Sequence, residues 1–235
     1  MLSPHPKPVV IREVWSHNLD YEFCIIRQII RLYPLVGLTF TDAHGNLPDL
    51  GTNSVFIWEF KFRDFDAWRD HHRPDSVALL RRQCIDFERN RNEGVDSVRF
   101  AYLLQTSGVM FNTYVTWITF HSAYDFGYLI KILVGRALPT RMEDFLDLLR
   151  IFFGPRVFDM KYVMRFCNGL YGGLERVAGA GALEVQRGVG KAHQAGSDSL
   201  LIWHTFQRMA QRFFVNAKPE AVAGLLYGLE IDSAR

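Results

Sequence analysis

The stretch "YVTWITFHSAYDFGYLIKILVG", Tyr114 to Gly135, decides the fold class. Its first half is rich in β-branched and aromatic residues and reads as a strand ending near His121. Its second half changes to helical period and stops at a glycine. A strand that passes directly into a helix is the unit of α/β architecture. Asp125 falls at the start of that helix. Carboxylates at strand ends and helix starts of α/β sheets face the crevice where ligands bind. An aspartate there is also favoured simply by the helix dipole.

Working outward, "NLDYEFCIIRQIIRLY" has helical spacing of Phe23, Ile26, Ile30 and Tyr33, with Asn18 as N-cap and Pro34 as the stop. "VGLTFTD" reads as a strand, and "VFIWEFKF" as its hairpin partner. In that partner Phe56, Trp58, Phe60 and Phe62 share one face, and Glu59 and Lys61 the other. The period of two makes the aromatic stripe core rather than a base-stacking surface. Glu59 and Asp42 are expected on the wet side. Further helices are expected in "RPDSVALLRRQC", "VDSVRFAYLLQTSG", "RMEDFLDLLRIFFG" and "SDSLLIWHTFQRMAQRFF". The fold class is therefore α/β, a mixed sheet flanked by helices. Residues 1–10, with three prolines, are expected to be a flexible tail, residues 11–230 one domain, and 231–235 a second tail.

Composition sets the limits. The chain has 235 residues, 49% hydrophobic, enough for one sizeable core. A formal net charge of +2 does not announce a nucleic-acid binder. Three scattered cysteines exclude a disulfide framework and a cysteine zinc site. There is no secretory h-region and no stretch apolar enough to span a membrane, so a soluble intracellular protein is expected.

A second chemistry-bearing stretch is "HQAGSDSLL", His193 to Leu201, where His193 precedes Asp198 at a helix start. "HSAYDFGYL" and "HQAGSDSLL" together resemble the Caf/Pop-type poly(A) deadenylases, the RNase D-like DEDDh exonucleases of the Ccr–Not complex. "VIREVWSHNLDYEF", "CIDFERNRNEGVDSVRFAYLLQTSG", "FDMKYVMRFC", "GGLERVA" and "GLLYGL" resemble that family in the same order, and "VGKAHQAGSDSLLIWHTFQRM" is similar to its plant members. The resemblance runs from Val9 to Leu229. It implies an RNase H-like fold and two Mg²⁺ or Mn²⁺ ions held by four acids. It implies Asp125 and Asp198 as metal ligands and His193 as general base. It also implies partners: poly(A) RNA, a Not-type scaffold and a Ccr-type leucine-rich-repeat nuclease, with no membrane, in the cytoplasm and also the nucleus.

One part of the pattern is missing. The family's first motif, a strand carrying Asp-x-Glu-Phe-Pro-Gly, should follow "RLYP". Here Pro34 is followed at once by "LVGLTF". The chain is thus expected to lack the family's first central strand and two metal-binding acids. Either "VGLTF" slides into the gap, or the sheet is marginal, or the full protein has residues at this junction that this sequence omits. "DYEF" does not replace the motif, because in a helix Asp20 and Glu22 point about 200° apart. His121 reads as a packed histidine, and His71 and His72 as solvated loop residues. Lys161, Arg165, Arg187 and Lys191 are candidates for a phosphate path. Two functions follow. One is a metal-dependent 3′–5′ exoribonuclease that shortens poly(A) tails, impaired in this chain. The other is an inactive paralogue that serves the same complex as scaffold or poly(A)-binding subunit.

Overall fold

Val9 and Val10 open β1 (Val9–Val14), inside the stretch expected to be a tail. In this computed structural model residues 7–33, 35–36, 39–181, 183–214 and 219–229 are described. The expected tail at 231–235 lies outside them, as do residues 1–6. β1 is held by a distant partner. It pairs in parallel with β3 (Val55–Phe60), from Val9 opposite Val55 to Val14 opposite Phe60. Lys7 and Asp49 close the near end at 2.6 Å.

Among the described strands the expected hairpin pairing is not seen. β2 (Leu35–Val36) turns from β3 to β4 (Thr116–Thr119), placing Leu35 opposite Thr116 and Val36 opposite Trp117. β4 then pairs with β5 (Val157–Asp159). The result is a two-stranded sheet, β1-β3, and a three-stranded sheet, β2-β4-β5; every ladder among the described residues is parallel. Sequence neighbours cannot form a parallel pair through a short turn, so each strand finds a remote partner. Pro34, where a segment is expected to be missing, lies outside the described residues.

Helices cover the sheets. α1 (Leu19–Ile29) buries Phe23 and Ile26. Asp20 and Glu22 both lie on it and part company as expected: Asp20 meets Arg99 at the surface, and Glu22 turns inward. α2 (Pro74–Arg82), α3 (Phe87–Glu93) and α4 (Ser97–Gln105) follow. Asp86 and Asp96 cap α3 and α4 by accepting from the amides of Arg89 and Arg99, each at 2.9 Å. α5 (Ala123–Val134) ends at Gly135, whose φ of 65° is the left-handed stop that glycine permits. α6 (Met142–Phe153), the short α7 (Met160–Val163) and α8 (Leu174–Ala178), and the long α9 (Ala195–Phe213) complete the set.

β4 separates two apolar clusters. Trp117 joins Phe23, Trp58, Phe100, Phe126 and Phe153 on one side, and Ile118 joins Met160, Val163, Trp203 and Met209 under α9 on the other. A strand buried on both faces is what a parallel sheet requires. Trp58 is fully buried, with Phe56, Phe60 and Phe62 packed against the same cluster, so the aromatic stripe is core. No helix among the described residues is long and apolar enough to cross a membrane.

Candidate active site

Asp159, at the end of β5, organises the first half of the site. It is fully buried and accepts four backbone N–H groups: His121 at 2.7 Å, Ser122 at 3.2 Å, Lys161 at 3.0 Å and Tyr227 at 3.1 Å. These bonds tie the β4–α5 turn, the β5–α7 turn and the C-terminal segment to one carboxylate. They hold His121 in the left-handed region, φ 57°, with its ring 5.2 Å edge-on to Tyr227. His121 is therefore a ring-packed residue of the turn. Asp159 carries no signature in the sequence beyond its place at a strand end.

Asp125 lies in the first turn of α5. Its side chain reaches solvent, yet surrounding protein strips part of its hydration. That loss raises its carboxyl above the usual range; the Asp159 charge adds to the effect and His121 opposes it. A raised carboxyl contributes stability below the unfolded-state pKa and loses it as pH rises through the folded-state pKa. Asp125→Asn is accordingly expected to melt higher than the wild type at pH 7 and at the same temperature near pH 3. Thermal melts across that range check it, and a lower melting point at pH 7 would contradict the assignment.

The second half is the start of α9. His193, exposed and at φ 65°, stands two residues before the helix. Asp198 is in the first turn and is not free. Arg187 reaches it at 2.7 Å and also binds Glu175, Ser197 and the Lys191 carbonyl. Desolvation works against the Arg187 charge, but Glu175 and Asp198 outweigh it and raise the guanidinium further. Arg187 thus straps the loop that carries His193 onto α9. The other candidate basics are engaged apart from it: Lys161 with the Gly172 carbonyl, Arg165 over the Tyr162 ring, Lys191 near Cys84.

Glu59 departs from expectation. It is buried, not on the wet side, because the first turn of α9 lies over β3. Gly196 makes the approach possible: a Cβ there would sit 3.2 Å from the Glu59 carboxylate. Lys61 pairs with it. Asp42 closes its own turn, accepting from the amides of His44 and Asn46, each at 2.8 Å. Desolvation raises its carboxyl, but these bonds prevail and leave it lowered. His71 and His72 are exposed, as expected.

The segment after β2 meets α9 through a hydroxyl. Thr39 shares a 2.6 Å hydrogen bond with Ser199. Thr41 is buried with an Oγ1 that has no hydrogen-bond partner. Among the described residues no group of three or more His, Cys, Asp or Glu is placed to hold a metal.

The comparisons fix the family. Over 268 positions, 97% of this chain and 96% of the relative, the chain is 40% identical to probable CCR4-associated factor 1 homolog 7 of Arabidopsis thaliana. It is also 33% identical to the poly(A) ribonuclease pop2 of Schizosaccharomyces pombe, over 93% of this chain and 75% of that one. The chain belongs to the CCR4-associated factor 1/Pop2 family.

Two solved members of the family superpose on this chain. The Mg²⁺- and Mn²⁺-bound form of S. pombe Pop2p matches with a TM-score of 0.83 and 31% identity, over 93% of this chain and 99% of that one. The CAF1 chain co-crystallised with the yeast NOT1 MIF4G domain matches with a TM-score of 0.76 and 28% identity, over 97% and 100%. The fold is thus that of the Pop2 RNase domain, a mixed α/β fold of short sheets flanked by helices. No family model matches the chain. The A. thaliana match spans more positions than the 235 residues available here, so that relative carries residues without a counterpart in this chain.

Among the described residues the donor set does not fit two divalent ions. Mg²⁺ demands oxygen ligands in near-octahedral array, and a pair of ions about 4 Å apart needs several carboxylates between and around them. Here Asp198 is bound to Arg187, Glu59 to Lys61, and the segment beside α9 offers threonines.

Proposed function

We propose that this chain is a non-shortening subunit of a deadenylase complex. It keeps the deadenylase fold, binds a Not-type scaffold and poly(A) RNA, and does not itself trim tails. One observation carries the reading: the segment that meets α9 through Thr39 carries Thr39 and Thr41, spaced as the two acids of an Asp-x-Glu motif would be, where the motif would carry carboxylates. In this reading "LVGLTF" has slid into the place of the absent central strand, consistent with β2 lying beside β4. The co-crystal of a relative with NOT1 supports the scaffold partner. A Ccr-type nuclease as second partner, and residence in cytoplasm and nucleus, belong to the same proposal.

A second reading keeps the nuclease, with Asp125 and Asp198 as metal ligands and His193 as general base. The buried Glu59 against α9 favours it, as a carboxylate available to replace a missing acid.

The deciding experiment follows 5′-labelled RNA with a poly(A) 3′ end, incubated with this 235-residue chain in Mg²⁺ or Mn²⁺ and in EDTA. The expected result is no metal-dependent shortening at a concentration where an intact relative consumes the tail. Shortening that Asp198→Ala or His193→Ala abolishes would establish the second reading and overturn the first.

A further inference from the structure

α5 exposes a stripe that its own packing does not use. Tyr124, Tyr128 and Lys131 are spaced i, i+4, i+7 and so share one face over about 10 Å of helix. Tyr124 is 86% exposed and Tyr128 50%, a large aromatic area to leave in water. The stripe forms one wall of a depression of about 600 Å³, large enough for a small ligand. His121 and Tyr227, ring against ring, and Arg141 are among its other lining residues.

The charge in this lining has one sign. Lys131 and Arg141, with His121, line the space, and among the described residues no Asp or Glu does. Among the described residues Arg141 has a loose 3.5 Å pair with Glu143. Asp64 and Asp70 act on Tyr128 from a neighbouring depression. The depression also adjoins the candidate active site, because His121 both lines it and influences Asp125.

We infer that this depression binds single-stranded RNA, with bases stacked on Tyr124 and Tyr128 and the backbone phosphates on Lys131 and Arg141. Aromatic faces interleaved with cations are the chemistry of single-strand binding, which needs no base-pair readout. None of these contacts needs a metal, so the site operates whether or not the acids near α9 assemble a centre. The inference rests on the reading that poly(A) RNA is a ligand of this chain.

The test is fluorescence anisotropy of a labelled oligoadenylate with the full chain in EDTA, using Tyr124→Ala, Tyr128→Ala and Lys131→Glu. Tyr124 and Lys131 are exposed, so these two changes spare the core. The expected result is measurable wild-type binding that each variant weakens about fivefold or more, with a falling affinity as salt rises. AMP as competitor separates a mononucleotide pocket from an RNA path: displacement by AMP as effective as by oligoadenylate overturns the path. Wild-type binding that all three variants leave unchanged overturns the site, leaving poly(A) binding intact and assigning the depression to a protein partner. Absence of wild-type binding overturns the site and RNA as ligand together. Tail shortening in Mg²⁺ by a chain whose RNA affinity depends on the stripe overturns only the non-shortening reading.

Discussion

Asp159→Ala is expected to lower the stability of the fold by about 4 kcal/mol. The carboxylate is fully buried and accepts from four backbone N–H groups drawn from three separate segments. Each buried donor left without an acceptor costs about 1–3 kcal/mol, and relaxation toward water recovers part of the total. The loss is not confined to packing at one point. Without the carboxylate nothing described here holds the His121 and Ser122 amides in place, and the Tyr227 amide is released with them. Asp159→Asn is expected to lose less, because one oxygen remains to accept while the amide group faces donors. Urea unfolding followed by tryptophan fluorescence measures both. A loss under 1 kcal/mol for the alanine variant would mean that the three segments hold together without this carboxylate.

Glu22→Ala is expected to cost about 3–5 kcal/mol. Glu22 is 3% exposed, receives Arg12 through two hydrogen bonds of 2.8 and 2.7 Å, and accepts from the Trp58 indole at 2.9 Å. Its removal leaves a guanidinium of low exposure with no counter-charge and a buried indole N–H with no acceptor. The penalty comes from the partner left behind rather than from the value of the pair. The double variant Arg12→Met with Glu22→Leu is therefore expected to recover more than half of the loss, since an ion pair replaced by apolar groups is often neutral. Equilibrium unfolding of the single and double variants decides it. A double variant no better than Glu22→Ala would show that the pair itself, not the orphaned charge, carries the energy.

The strand-to-helix change at Tyr114–Gly135 and the start of α9 were legible because their signals are local: a switch of period, a capping position, a terminal glycine. β1 was not. Three prolines in the first eight residues read as a frayed tail, yet the strand exists because Val55–Phe60 supplies its ladder from far along the chain. The same non-locality defeated the hairpin, whose two arms are sequence neighbours paired with different strands. α3 left no apolar period to detect, since none of its residues is buried; its Asp86 cap makes it. Asp125, Asp198 and His193 stood out by their motifs, but the partners around them did not. Alternation along β3 put Glu59 in water, and only the placement of α9 over that strand reverses it. Arg187 was one scattered cation in the sequence. Its partners, Glu175 and Asp198, come together through α8 and α9 packing, which no spacing encodes.

The wholly parallel pairing of the described strands has a consequence for how the chain reaches this state. Each ladder joins strands separated by a long intervening stretch, so loop closure precedes any reward from pairing, and such topologies fold slowly. On the ribosome β1 emerges first and stays unmatched until Val55–Phe60 has left the exit tunnel, and β2 waits longer still, for Thr116–Thr119. Helix α1 can form before β1 meets its partner, and α2 to α4 before β2 meets its own. A nascent chain of this family member therefore carries unpaired strand edges until each later partner emerges, the state in which a chain is open to aggregation.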